Sequence, residues 1–321
     1  MTSDQPAGPV PAEVPVEVPV DAAAASTAGA LSRAPRAPRP ARPPAEGAHA
    51  VVQTTLVMVA IVCLWTCAQV LVLSGISQDR EQSLLHDRFR TQLADLTAPI
   101  GPVVPAGDPV ALLSVPAIGL EEVVVEGTAS GDLRAGPGHR RDTVLPGQVG
   151  VSQVYGRAGT YGGPFQRLTS LQVGDTVGLV TAQGERTLRV IGVRYDGDPL
   201  PQPPVDGVAR LTLVSAVGEG RLSALTPDTT VYVDAETTDG APAPGGRPVV
   251  LPESERAMAT DGAALPLLAL WLALLLALTL GVVAARQRWS AALVWVLASP
   301  LALALAWMTT DTLVRLLPNL V

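Results

Sequence analysis

Residues 210–221 read RLTLVSAVGEGR. Branched and apolar residues run from Leu211 to Val214, and Gly218 and Gly220 close the run, so this is a strand leading into a glycine-rich loop. A strand end of this kind can present a catalytic side chain. Here it presents Ser215 and then Ala216. Either Ser215 is a nucleophile, or a reactive side chain is missing one position further on.

Outward from this strand, residues 110–236 hold further short β-rich runs between Gly, Pro and Asp turns: EEVVVEG, GQVGVSQVYG, GDTVGLVTAQGERTLRVIGV and TTVYVDAE. Many short strands with frequent turn signals predict an all-β barrel or sandwich. About 130 residues suffice to bury one core. On either side the composition changes. Residues 51–73, 263–284 and 290–308 are apolar runs, each near the ~20 residues that a membrane helix needs, the last with Pro300 inside it as the expected site of a bend. Trp289 and Trp307 are placed as interface anchors. The first run is too long for the apolar part of a cleaved signal, and a long tail precedes it.

Arginine placement predicts orientation. Arg33, Arg36, Arg39 and Arg42 precede the first run, and Arg286 and Arg288 separate the second from the third, whereas 251–262 carries Glu253, Glu255 and Asp261 against Arg256. Basic residues stay inside, which puts the tail in the cytoplasm and residues 77–262 outside the plasma membrane. Residues 1–50 are rich in Pro and Ala and predict a disordered tail. Residues 77–104 predict a helical stalk with Leu85, Phe89, Leu93 and Leu96 on one stripe. Residues 105–236 form the β domain, 237–262 a Pro/Gly linker, and 309–321 a short outer tail.

The net charge of −7, with no basic patch, excludes nucleic acid as a partner. Cys63 and Cys67 lie inside the first apolar run, so no disulfide framework is available to the β domain. They read as small apolar residues in lipid or as a helix-contact face. His49, His86 and His139 are too scattered for a metal cluster, and no cofactor or metal is expected. Asp311 and Arg315 stand four apart and predict an ion pair.

Four motifs then fall in one order: LLSVPAIGLEEVVVEGT (112–128), GPGHRRDTVLPGQ (136–148), GRAGTYGGPFQRLTSLQVGD (156–175) and RLTLVSA (210–216). The chain resembles the sortase family, in particular the actinobacterial housekeeping, class E-like type. The resemblance implies a sortase β-barrel of about eight strands with short helices, accompanied here by three membrane helices. It also implies an ancestral transpeptidase that cleaves an LPxTG-like signal through a cysteine thioester. A thiolate attacks, a His moves protons, and an Arg donates to the peptide or oxyanion. This sequence departs at all three positions: Ala216 stands for the Cys, Arg157 for the His and Thr230 for the Arg. Arg221 is a second candidate for the last role.

A serine hydroxyl needs a base. The nearest candidate for Ser215 is His139, in GPGH, where the bland reading is structural. Strand alternation also turns Ser215 away from the side that position 216 faces. Two roles fit Arg157: holding a carboxylate or peptide carbonyl, or closing the groove by a salt bridge. Tyr155, Tyr161, Ser215 and Arg221 join it as candidate groove residues. Gly162, Gly163, Pro164, Phe165, Gly174 and Asp175 read as scaffold. The LPESE of 251–255 imitates a sorting signal but lacks its Thr and Gly. The expectation is a catalytically inactive, sortase-like membrane protein that binds or scaffolds a surface-protein segment or another envelope component. An active divergent transpeptidase or hydrolase using Ser215, and a purely structural envelope component, are the alternatives.

Overall fold

The computed structural model describes residues 47–69, 73–218, 227–248 and 250–321. The expected tail, up to residue 46, lies outside them.

Eight strands close into a barrel in the order β1-β2-β3-β4-β7-β8-β6-β5. They are β1 (Pro109–Val115), β2 (Leu120–Glu126), β3 (Gly138–His139), β4 (Gly150–Tyr155), β5 (Thr176–Thr181), β6 (Gly184–Tyr195), β7 (Ala209–Val217) and β8 (Thr229–Thr237). Short 3-10 turns such as Pro116–Ile118 and Leu168–Ser170 punctuate the connections. The ladders are antiparallel except β2–β3 and β4–β7. β7 runs between β4 and β8, and all its residues but Val217 are buried, as for a strand covered on both faces. Its alternate residues divide between two clusters. Leu211 and Leu213 join Val154, Phe165, Leu188 and Val233 in the barrel core, while Val214 and Ala216 face a second cluster outside it.

α2 (Ser74–Ala94) precedes the barrel and lies against it. Leu85 and Phe89 bury onto Val123 and Val125 of β2. The Gln82 amide donates to the main-chain oxygens of Val123 at 3.1 Å and Ala135 at 2.7 Å and accepts from Val123 N at 2.7 Å. Leu96 leaves the expected stripe: it lies past the helix end and is exposed.

The expectation of three spanning helices is corrected. Among the described residues two helices are long and apolar enough to cross a membrane, Gly262–Arg288 and Ala292–Arg315. They contain α3 (Leu265–Arg288) and most of α4 (Ala291–Arg315), and α4 runs through Pro300. α1 (Gly47–Ala68) offers a shorter apolar helix, Thr55–Ala68. α1 packs beside α3 and α4, with Met58 against the Val282, Val294 and Ala298 cluster and Trp65 6.4 Å from Trp307.

The segments expected as linker and outer tail pack on the barrel. Glu255, in a 3-10 turn over Glu253–Glu255, is buried and pairs with Arg141 at 2.8 Å. Ala257 and Met258 pack on the outer cluster of β7. α4 extends to Arg315, and Asn319, Leu320 and Val321 are buried against the barrel. Asp311 pairs with Arg134 of the barrel as well as with Arg315, the latter at 3.7 Å.

Candidate functional site

The end of β7 and the start of β8 define the site. Ala216 lies directly opposite Thr230 in the ladder. Both belong to the outward set, since Leu211 and Leu213 on β7 and Val231 and Val233 on β8 fill the barrel core. Ser215 therefore points with the core set. It is fully buried, and its Oγ donates to Gly156 O at 2.9 Å.

That bond ties β7 to the loop after β4. Gly156 is required there, because a Cβ would sit 2.4 Å from the Phe165 ring. Arg157 follows and is the largest fully buried side chain. Its Nη1 donates to Thr160 Oγ1 at 3.0 Å and to Val321 O at 2.7 Å; its Nη2 donates to Ser130 O and Oγ, each at 2.8 Å. The guanidinium also lies 5.2 Å from the Tyr161 ring centroid. No Asp or Glu side chain pairs with it among the described residues. Burial away from water pushes its pKa down to about 10, with the Tyr161 hydroxyl opposing and Arg134 adding to the fall. At neutral pH it remains a cation. It can donate to a carbonyl but cannot take a proton from an attacking group, so it is no substitute for a general base.

The outer cluster completes the site. Tyr155, Ala158, Val214 and Ala216 enclose Leu320, which is itself fully buried. Ala158 N donates to Leu320 O at 2.9 Å, and Thr160 Oγ1 donates to Val321 O at 2.5 Å. Tyr161 is buried, with a positive φ of 49°. The structure thus gathers Ala216, Thr230, Arg157, Tyr155 and Tyr161 around one place, and the occupant of that place is the chain itself.

His139 is committed elsewhere. Its Nδ1 lies 2.8 Å from Glu126 Oε2, and its Nε2 lies 2.8 Å from Val144 O and 3.1 Å from Thr143 Oγ1. Both ring nitrogens are engaged, so the ring joins β3 to β2 and to the following loop. Neither nitrogen is free to serve the Ser215 hydroxyl, which is already donating. Arg221 lies outside the described residues. Cys63 and Cys67 are exposed on α1. Among the described residues no group of three or more His, Cys, Asp or Glu could hold a metal ion. Ser130, Asn319 and Leu320 carry no local signal of a site, and only the closing of sequence-distant segments brings them to it, whereas Thr160 lies three residues from Arg157 in the same loop.

Residues 113–214 match the family model for the sortase domain. Sortase D of Bacillus subtilis (strain 168) is 34% identical over 80 residues, which cover 25% of this chain and 39% of that protein. The chain thus spans less than half the length of the curated relative it matches. Among solved structures it is similar to a sortase D5 transpeptidase of Clostridium perfringens, 18% identical over 52% of this chain and 99% of that one, TM-score 0.40. It is also similar to the SrtA sortase of Actinomyces oris, 26% identical over 49% and 94% of the two chains, TM-score 0.36. A sortase E variant of Streptomyces avermitilis is 24% identical over 48% of this chain and 100% of its own, TM-score 0.32. The domain is a sortase-like barrel of eight strands with short helices.

Proposed function

We propose that this chain is a membrane-anchored, catalytically inactive sortase-like protein whose barrel binds or scaffolds a cell-envelope component. One observation carries the reading: the outward position at the end of β7 is Ala216, a methyl group packed among apolar side chains. Sortase chemistry, which the name of the Clostridium perfringens relative gives as transpeptidation, needs a nucleophile, a proton carrier and an oxyanion donor at this place. Ala216, Arg157 and Thr230 stand where the resemblance puts them. Ser215 does not replace the nucleophile, because it faces the core, donates to a carbonyl and has no base beside it. Loss of a nucleophile alone costs on the order of 10^6 in rate in a serine protease.

In this reading the chain is of the actinobacterial, class E-like type, and the envelope is the setting that type implies. The apolar lengths of α3 and α4, with Arg286 and Arg288 near their turn, support a hairpin that enters the plasma membrane from outside and returns to the same side. The docking of Asn319–Val321 on the barrel agrees with that orientation. A second reading, a purely structural envelope component, is favoured by a specific observation: the site beside Ala216 is filled.

The decisive assay incubates the full chain in detergent with LPxTG- and LAxTG-like peptides and an amine acceptor. The expected result is no cleavage above a no-protein control. Turnover that disappears in Ser215→Ala would overturn the inactive reading. Saturable peptide binding without turnover supports a binding role, and its absence supports the structural one.

A further inference from the structure

The contacts of Asn319–Val321 are those of a bound peptide. A side chain enters a pocket: Leu320 is enclosed by Tyr155, Ala158, Val214 and Ala216. The main chain is read on both sides of it, by Ala158 N on Leu320 O and by Arg157 and Thr160 on Val321 O. Asn319 fixes the approach, its N donating to Ala259 O at 2.9 Å and its Nδ2 to Thr128 O at 2.7 Å and Arg256 O at 2.9 Å. Upstream, Ser130 Oγ donates to Val314 O at 3.1 Å, and Arg134 pairs with Asp311.

Arg157 is fully buried, and this segment supplies part of its hydrogen bonding. Burying an unpaired charge is costly unless fixed acceptors replace its water. Here those acceptors are the Val321 main-chain oxygen, the Thr160 hydroxyl and both oxygens of Ser130. Val321 thus supplies one of the oxygens that keep the Arg157 cation satisfied.

We infer that Asn319–Val321 is a tethered ligand: it occupies the peptide site at the end of β7, and the site accepts a separate extended apolar peptide only when this segment is withdrawn. The inference deepens the proposed non-catalytic reading and rests on it for the meaning of the site. Tethering sets the local concentration of the segment in the millimolar range, so a free peptide of similar intrinsic affinity competes poorly. Peptide binding is then governed by whatever moves α4 relative to the barrel, because only residues 315–318 separate Val314 from Asn319 and both are bonded to the barrel side.

The test uses the full chain in detergent, in a Cys63→Ser, Cys67→Ser background carrying Ala216→Cys as a reporter. With the segment in place, maleimide alkylation of the reporter is expected to be slow. Leu320→Ser is expected to raise the rate at least about tenfold by shifting the segment toward its withdrawn state, while Leu320→Met keeps the protection. Acetylated LLPNLV peptide added to the Leu320→Ser protein is expected to restore protection. A thermal melt accompanies each variant. If Leu320→Ser unfolds the barrel, Asn319→Ala, which removes two hydrogen bonds to the segment, is read in its place with a smaller rise of about threefold. Equal alkylation in all folded variants overturns the tethered ligand, and failure of the peptide to protect overturns its exchange with a separate peptide. Neither readout depends on turnover, so cleavage by the wild-type chain would remove the inactive reading and leave this result standing.

Discussion

At residue scale, two neighbours on one strand have separate fates. Ser215 carries the only hydroxyl at the end of β7, yet the strand turns it toward the core, where it serves Gly156. Its role is to hold the loop that carries Arg157. Ser215→Ala is expected to lower stability by about 1–2 kcal/mol, the cost of losing one bond to a buried carbonyl, measured by denaturant unfolding. A loss below a few tenths of a kcal/mol would remove that role. Ala216 is inert chemically but shapes the pocket in which Leu320 sits. That position 216 carries a methyl group is legible in the sequence; that it faces away from Ser215 follows from strand alternation. The burial of Arg157 is not legible there, because its partners at Ser130, Thr160 and Val321 come from three separate segments.

At element scale, α2 docks on β2 through a mixed surface. Beside the Leu85 and Phe89 contacts lies Glu122, whose pKa burial pushes up to about 7, opposed by the Gln78 amide and aided by Asp79. The folded carboxyl binds its proton more tightly than the unfolded one. Its contribution to stability is therefore complete below the ordinary carboxylate value of 4.5 and is lost as pH rises to about 7. The effect amounts to at most about 3 kcal/mol. Hydrogen exchange of the α2 amides, corrected for intrinsic rates, is expected to slow as pH falls from about 7.5 to about 5. Glu122→Gln is expected to flatten that dependence; an unchanged slope in the variant would assign it to another group. The longer strands were legible as β-rich runs because each is continuous and bounded by turn residues. β3 was not, since a two-residue strand leaves no periodicity to read. The apolar run at 51–73 is continuous in sequence, but 70–72 lie outside the described residues, within which the apolar helix is Thr55–Ala68.

At the scale of the whole molecule, the α3–α4 hairpin brings the chain back to the barrel it left. Arg134 and Asp311, Ser130 and Val314, and Thr128 and Asn319 join parts of the sequence more than 170 residues apart. The proposed orientation makes a direct prediction in the background without native cysteines. In intact cells, Asp198→Cys on the barrel is expected to react with a membrane-impermeant maleimide, and Gln287→Cys only after lysis. The reverse pattern would invert the topology.

The sequence by itself determined the β-barrel, two of the long apolar helices and the alanine at the end of the fourth motif. Each of these is written in contiguous residues, as strand runs, uncharged length or one motif position. Only the tertiary structure decided that His139 is a joint within the barrel, that the Ser215 hydroxyl serves Gly156, and that residues 319–321 fill the place beside Ala216. Those outcomes depend on which distant segments share a surface, and contacts across such separations leave no period or spacing in the chain.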